Sequence, residues 1–259
     1  MTDEKGIILK NNKNLRELLN LNYLSLTNKT VSCGIMDLPA INCNVSTFPD
    51  FIALYSEPGK YFLTDHTAIG FFEFDEDIDG RYGLFWAIYY NVEERLDYFK
   101  ERFKGVKYVI IPDYSVLGDI HRIENDYRLF RGRIVRLWFM FEIGAVVLPN
   151  ITFPTEESSD FALDGYEDCS VAAISTKGHM DDPVENQRLR ANIKLTVDKL
   201  HKLETMIVYD VCSTNDDTLD TFSYAIEKGV KIIIPENTLK SRNMILYNNR
   251  HFTGKAVES

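Results

Sequence analysis

Short apolar runs alternate with amphipathic segments along most of this chain, and the clearest run is residues 106–111. That run stops on Pro112, Asp113, Tyr114 and Ser115. A strand that is apolar on both faces is typical of a parallel sheet covered by helices. Because the ligands of such sheets bind at the carboxyl ends of the strands, the run predicts a site edge at Asp113, Tyr114 and Ser115.

The same alternation continues to residue 234. Strands are predicted over residues 106–111, 145–148, 170–175, 205–209 and 230–234. Helices are predicted over about residues 119–144, 184–203 and 218–228. Successive βα units call for a mostly parallel sheet with right-handed crossovers, so the predicted fold class is α/β. An open doubly wound sheet and a partial or distorted β/α barrel both fit this pattern.

The part of the chain before this alternation is less regular. Residues 1–60 are predicted to form an irregular N-terminal segment that packs on an α/β domain spanning residues 61–259, and a short helix is expected within the segment over residues 14–21. Aromatic runs at residues 61–64, 69–74 and 82–90 indicate strands or a hairpin. A helix is then predicted over residues 92–104, capped by Asn91.

Composition and charge exclude several classes of protein. With 45% hydrophobic and 26% charged residues, the chain has the composition of a folded globular protein. A formal net charge of −10 disfavours nucleic acid as a partner, because phosphate contacts need concentrated Lys and Arg. The four cysteines form no CxxC pair, which gives a zinc or redox site little support. No window has membrane-spanning length, so a cytoplasmic protein with no membrane partner is expected.

Polar residues follow the predicted strands, where a parallel sheet presents one common rim. Asp113, Tyr114 and Ser115 follow the strand at residues 106–111, and Asn150, Thr176 and Lys177 follow later strands. Carboxylates in a polar cleft have shifted pKa values, so Asp113 is a candidate catalytic residue and the others are candidate ligand-binding residues. Residues 175–178 can offer amides and a lysine to a phosphate, although they lack the full P-loop pattern. The competing interpretation is that these side chains cap helices and turns.

Arginines are concentrated in the long helix predicted after residue 119. They are Arg122, Arg128, Arg131, Arg133 and Arg136. The planar guanidinium group can bind carboxylate or phosphate through two hydrogen bonds. Arg131 and Arg133 are therefore candidate residues for binding an anion, and ordinary ion pairs along the helix are the alternative.

The sequence predicts no metal site. Asp75, Asp77, Asp79 and Gly80 match the first half of a calcium loop, but Trp86 stands where the closing glutamate is needed. A solvated acidic hairpin tip is the better interpretation of that segment. The five histidines show no HxxxH or HExxH spacing, and no pattern identifies a cofactor, which stays unknown.

Several motifs in order along the chain are similar to those of a known family. They are residues 112–115 with Asp119, residues 131–133 with Trp138, and residues 144–150, 161–165, 171–178 and 207–209. Over roughly residues 105–210 the chain resembles the domain of unknown function 4417 family of bacteria and their phages. The resemblance implies an α/β fold and a phage or mobile-element origin. It implies no activity. Asp119, shortly after Asp113, is the second candidate catalytic residue.

Two hypotheses about function follow. In the first, the protein binds a small anionic ligand, nucleotide-like or phosphorylated, at the strand rim and extends to acid–base or metal-assisted catalysis. In the second, it is a non-enzymatic phage or mobile-element accessory protein that binds a host protein partner. The first requires the rim side chains to converge within about 3–4 Å of a common ligand, whereas the second leaves them free to scatter.

Overall fold

The computed structural model describes residues 12–80 and 82–253. The strands are β1 (Ser32–Cys33), β2 (Leu38–Pro39), β3 (Phe51–Leu54), β4 (Thr67–Gly70), β5 (Tyr108–Ile110), β6 (Val146–Leu148), β7 (Val171–Ser175), β8 (Thr205–Tyr209) and β9 (Lys231–Ile233). The α-helices are α1 (Lys13–Leu18), α2 (Leu24–Thr27), α3 (Asp75–Asp79), α4 (Leu84–Tyr90), α5 (Glu93–Arg102), α6 (Arg122–Trp138), α7 (Ser159–Ala162), α8 (Pro183–Lys199), α9 (Asn215–Thr221), α10 (Ser223–Glu227) and α11 (Thr238–Thr253).

Two parallel sheets carry the fold. The first has four strands in the order β3-β4-β5-β6, and the second has three in the order β7-β8-β9. A single parallel bridge joins Asn150, after β6, to Ala173 in β7, and another joins Phe51 in β3 to Glu236, after β9. Strands β3 to β9 therefore follow one another around a ring whose hydrogen-bonded ladder narrows to a single bridge at each of the two junctions. The predicted α/β class is confirmed, in the form of an interrupted rather than a closed barrel.

Burial explains why these segments form strands. Every residue of β5 and β8 is buried, as expected for parallel strands with helices outside and packed side chains inside. At the carboxyl ends of the strands, Phe72 stacks on Tyr209 with ring centroids 4.5 Å apart. Since Phe72 follows β4 and Tyr209 ends β8, this contact links the two sheets across the interior.

The strands and helices predicted after residue 106 are present. In α8, Pro183 occupies the first turn and the side chain of Asp182 accepts hydrogen bonds from the amides of Val184 and Glu185. A π-helical turn at Phe139–Ile143 prolongs α6, which ends at Gly144 in the left-handed conformation. The predicted helix over residues 218–228 is divided into α9 and α10.

Residues 82–90 were expected to be extended, and that prediction is wrong. Residues Leu84–Tyr90 form α4, in which Leu84, Phe85, Ala87 and Ile88 are buried at helical spacing. Residues Asp75–Asp79 also form a helix, α3, so the predicted acidic hairpin tip is absent from this described segment. Aromatic side chains favour strands in isolation, but here the buried face of a helix carries Phe85, whereas Trp86 and Tyr89 are only partly buried.

The predicted boundary at residue 60 falls inside the sheet-forming part of the chain. Strand β3 at Phe51–Leu54 already pairs with β4, although residues 61–64 form no strand. The part of the expected N-terminal segment before residue 12 lies outside the described residues. Across residues 12–80 and 82–253, no helix combines the length and the apolar character needed to cross a bilayer.

Candidate functional site

A cavity of about 490 Å³ opens at the carboxyl ends of β4, β5, β6 and β7. The first turns of α8 complete its wall. Its polar lining includes Glu73, Asp113, Ser115, Thr152, Lys177, His179, Glu185, Arg188 and Asn192, and its apolar lining includes Phe72, Phe74, Ile151, Phe153, Ile174 and Leu189. The volume and the mixture of apolar and polar groups are those of a small-molecule site. We call this space the rim cavity.

Asp113 supplies a carboxyl group to the rim cavity from the loop after β5. Asn150 Nδ2 donates a hydrogen bond to Asp113 Oδ1 over 2.8 Å. Burial raises the pKa of Asp113 to about 6, while the hydrogen bonds from Asn150 and Thr152 and the charge of Lys177 oppose the rise. A carboxyl group with this pKa exchanges its proton close to neutral pH, as acid–base chemistry requires.

The raised pKa makes a prediction about stability. Folding favours the protonated form of Asp113, so its contribution is present at low pH and is lost as the pH rises from the ordinary pKa of 3.8 through about 6. Asparagine copies the protonated form. Asp113→Asn is therefore expected to be more stable than the parent at neutral pH, by on the order of 1–3 kcal/mol, and equally stable at low pH.

Urea titrations of both proteins across this pH range measure the effect, with Asp119→Asn as the exposed control. A difference that does not change with pH, or a parent that is more stable at neutral pH, would show that folding does not favour the protonated form of Asp113.

Lys177 and Phe74 lie together at the mouth of the rim cavity. Lys177 Nζ donates to the carbonyl oxygen of Phe72 over 2.6 Å and lies 6.0 Å from the centroid of the Phe74 ring. An ammonium group has more donors than this one carbonyl uses. Phe74 is 76% exposed, so its ring is open to a flat ligand.

The remaining charged groups of the rim cavity are mostly matched by neighbours. Glu185 pairs with Arg188 over 2.8 Å and lies 3.6 Å from His179 Nδ1. Burial lowers the pKa of His179, and Glu185 partly offsets that effect. Glu73 accepts a hydrogen bond from the amide of Ser56. Both carboxylates have hydrogen-bond partners within the protein, and Lys177 is a lining cation that forms no ion pair among the described residues.

Ser115 lines the rim cavity, and its amide and hydroxyl both donate to Asp75 Oδ1, over 2.8 and 2.9 Å. Arg128 Nη1 pairs with the other oxygen of that carboxylate over 2.7 Å and donates to the Ser115 carbonyl. Asp75 and Arg128 therefore hold the loop that follows β5. The acidic segment predicted as a solvated tip is part of the scaffold of the site.

Tyr114 and Arg131 do not line the rim cavity. Arg131 Nη2 pairs with Asp79 Oδ2 over 2.6 Å, and the Tyr114 hydroxyl donates to the same oxygen over 3.1 Å. The guanidinium carbon also lies 4.1 Å from the centroid of the Tyr114 ring. The buried carboxylate of Asp79 is thus the anion that Arg131 binds within the protein.

Arg133 is also engaged within the protein. It is buried, and it donates to the carbonyl oxygens of Pro39 and Ala162 over 3.0 and 3.2 Å. It therefore fastens the N-terminal segment to α6, and it does not line the rim cavity. Asp119, a predicted catalytic residue, is exposed and lies just beyond Gly118 at the edge of the rim cavity.

Thr176 faces a different space from Lys177. Its hydroxyl is buried, donates to Asp210 Oδ1 over 3.1 Å and accepts from the amide of Val211. Thr176 lines a second cavity of about 480 Å³ with, among others, Ser213 and Arg190. The predicted set of rim residues is thus divided, with Asp113, Ser115 and Lys177 on the rim cavity and Asn150 directly behind Asp113.

Sequence reasoning missed most residues of the rim cavity, among them three that bear on ligand binding. Phe74, Arg188 and Asn192 were not among the predicted site residues, although Phe74 follows a strand just as Asp113 does. Arg188 and Asn192 lie on α8, and Asn192 donates to the carbonyl of Phe153. Within the described ranges, no group of three or more His, Cys, Asp or Glu residues is placed to hold a metal ion.

Comparison with known proteins identifies relatives of this chain. The profile of the family described as "Domain of unknown function (DUF4417)" matches residues 32–226. The Gene 1 protein of Mycobacterium phage D29 is 26% identical over 98 residues, which are 38% of this chain and 36% of that protein. The Gene 1 protein of Mycobacterium phage L5 is 26% identical over 121 residues, 47% of this chain and 49% of that protein.

The matched region thus spans less than half the length of either curated phage relative. A comparison with solved structures found no match.

Proposed function

We propose that this chain, which belongs to the family described as domain of unknown function DUF4417, binds a small anionic ligand of nucleotide-like or phosphorylated type in the rim cavity. One observation carries the proposal: Asp113, Lys177 and the exposed ring of Phe74 border the same space of about 490 Å³. If the protein instead bound only a host protein partner, these three groups would not need to border one space.

Each of the three groups has a distinct part in binding. The Lys177 ammonium contacts the anionic group, because a charge-assisted hydrogen bond is stronger than a neutral one. The Phe74 ring stacks on a flat, base-like group. Asp113 contacts a hydroxyl or amino group of the ligand, and its pKa of about 6 lets it take or give a proton there. Acid–base catalysis on the bound ligand is the enzymatic form of the proposal.

Replacing Lys177 by methionine tests the anion contact. We expect the dissociation constant for AMP to rise about 10-fold or more, because a hydrogen bond to a charged group contributes about 1.5–3 kcal/mol. Isothermal titration calorimetry on parent and variant measures the change. Lys194→Met is the matched control, since Lys194 is an exposed lysine paired with Asp198.

A second variant tests the contact with the base separately from the contact with the phosphate. Phe74→Ala is expected to weaken AMP and to leave inorganic phosphate unchanged, because only the base uses the ring. If no nucleotide, sugar phosphate or inorganic phosphate binds the parent, small-molecule binding is rejected and the host-partner alternative takes its place.

A further inference from the structure

A small cavity of about 20 Å³ is lined by Asn150, whose side-chain amide donates to Asp113. Residues of α6, the loops that follow β5 and β6, and Tyr166 line it. A space of about 10–15 Å³ on this measure is enough for one water molecule, provided that polar groups line it. The cavity is thus the size of one water molecule and too small for an organic ligand.

Two polar atoms of residues that line this small cavity lack a hydrogen-bond partner among the residues the structure describes. They are Asn150 Oδ1 and Arg128 Nε, and both atoms are buried. Asn150 as a whole is only 4% exposed. One atom is an acceptor and the other is a donor, which is the pair of functions that a bridging water satisfies. A buried polar atom without any partner costs about 1–3 kcal/mol.

We infer that one ordered water molecule occupies this cavity, donates to Asn150 Oδ1 and accepts from Arg128 Nε, and thereby fixes Asn150 as the positioning residue for Asp113. The water holds the amide oxygen of Asn150 on the side away from Asp113. Asn150 Nδ2 is then directed at Asp113 Oδ1, where it donates over 2.8 Å.

The backbone of Asn150 is fixed as well. Its carbonyl oxygen accepts from the Tyr166 hydroxyl over 3.0 Å, and Asn150 forms the bridge to Ala173 that joins the two sheets. Because the backbone of Asn150 is held, its side-chain amide group can move only by rotation, and the water prevents that rotation. Asn150 therefore joins the two sheets and also orients the carboxyl group of the rim cavity.

The water also closes a polar circuit around the loop after β5. From Asp113 the contacts run through Asn150 and the water to Arg128, and from Arg128 through Asp75 to Ser115. The circuit begins and ends on residues that line the rim cavity. A change at the water site is expected to reach Asp113 without any contact with a ligand.

The pKa of Asp113 reports on this arrangement in the ligand-free protein. The charged groups around Asp113 are Asp75 from α3, Lys177 from the loop after β7, and, beyond Asp75, Arg128 from α6. A hydrogen bond donated to a carboxylate stabilises its charged form. Loss of the Asn150 donor therefore raises the pKa of Asp113, whereas simple loosening of the fold, by admitting solvent, lowers it toward its ordinary value.

Carbon-13 NMR titration of the Asp113 carboxyl group in ligand-free protein tests the inference. For Asn150→Leu we expect the pKa to rise by about one unit, because the donor is removed. For Arg128→Lys, which keeps the charge beside Asp75 but lacks Nε, we expect a smaller rise. Arg122→Lys, at an exposed position on the same helix, is expected to leave the pKa unchanged.

The water itself is tested separately by NMR cross-relaxation, which detects a long-lived water close to the Asn150 side-chain amide in the parent. Its loss in Arg128→Lys is the expected result. An Asp113 pKa that stays constant in Asn150→Leu, or the lack of a long-lived water in the parent, overturns the inference. The inference rests on the proposed function in one respect: orienting Asp113 matters for binding only if the rim cavity holds a ligand. None of these measurements uses a ligand, so failure of AMP to bind leaves their outcome unaffected.

Discussion

Replacing Lys240 by methionine is expected to lower the free energy of unfolding by about 3–5 kcal/mol, the cost of leaving a buried charge without its partner. Lys240 is 2% exposed, and its Nζ lies 3.1 Å from Asp210 Oδ2. The same Nζ donates to Asn215 Oδ1 over 2.6 Å. Methionine fills most of the volume of lysine but supplies no charge, so Asp210 is left as a buried carboxylate with an unmatched charge.

The position of Asp210 adds to the effect. Its Oδ1 accepts from the Thr176 hydroxyl and from the amide of Cys212, so the same carboxylate organises the loops after β7 and β8. Urea denaturation followed by circular dichroism measures the loss. The double variant Lys240→Met with Asp210→Asn is expected to recover part of it, because the orphaned charge is removed as well.

Lys194→Met is the control for this prediction, since the exposed pair of Lys194 with Asp198 is expected to contribute no more than about 1 kcal/mol. A loss in Lys240→Met as small as that of the control would mean that water reaches the Asp210 carboxylate, and it would contradict the buried pair.

Replacing Asp79 by alanine is the second change with a large expected effect, again about 3–5 kcal/mol of unfolding free energy. Asp79 Oδ2 binds Arg131 and the Tyr114 hydroxyl, and Asp79 Oδ1 accepts from the amide of Phe85. Without the carboxylate, the guanidinium of Arg131 stays largely buried against aromatic rings with no anion beside it.

The pKa of Asp79 shows how finely this pair is balanced. Burial raises that pKa, although the hydrogen bonds and charge of Arg131 oppose the rise. The intact pair therefore contributes little net stability, whereas removal of one member is costly. The double variant Asp79→Leu with Arg131→Met is accordingly expected to be more stable than Asp79→Ala alone.

Chemical denaturation measures both variants, with Glu101→Gln as the control because the pair of Glu101 with Lys104 is exposed. If Asp79→Ala unfolds at the same denaturant concentration as Glu101→Gln, the buried pair does not hold α3 and α4 to α6 as described.

The sequence could predict the strands from β5 onward because each is a short apolar run with a clear stop. It could not predict how the ring of strands is joined, since that depends on single bridges such as Phe51 to Glu236, between residues far apart in the chain. It missed α11, and it misread α4 because an aromatic run has the same composition in a buried strand and in a buried helix face.

The candidate site could be predicted only as far as its residues directly follow parallel strands, because ligands bind at the carboxyl ends of such strands. Asp113 and Lys177 both follow strands, and the structure brings them to one cavity. The roles of Arg131 and Arg133 were not predictable from their helix, because their partners come from distant segments, Asp79 in one case and backbone carbonyls in the other. The number of arginines in a helix does not show which of them already have hydrogen-bond partners within the fold.

The most direct test of the central claim is a crystal structure of the parent protein grown with AMP. The account predicts electron density in the rim cavity, with the phosphate beside Lys177 Nζ, the base against Phe74, and a ribose hydroxyl within hydrogen-bonding distance of Asp113. Density for AMP at another surface, or an empty rim cavity in crystals where calorimetry has shown AMP to be bound, would contradict it.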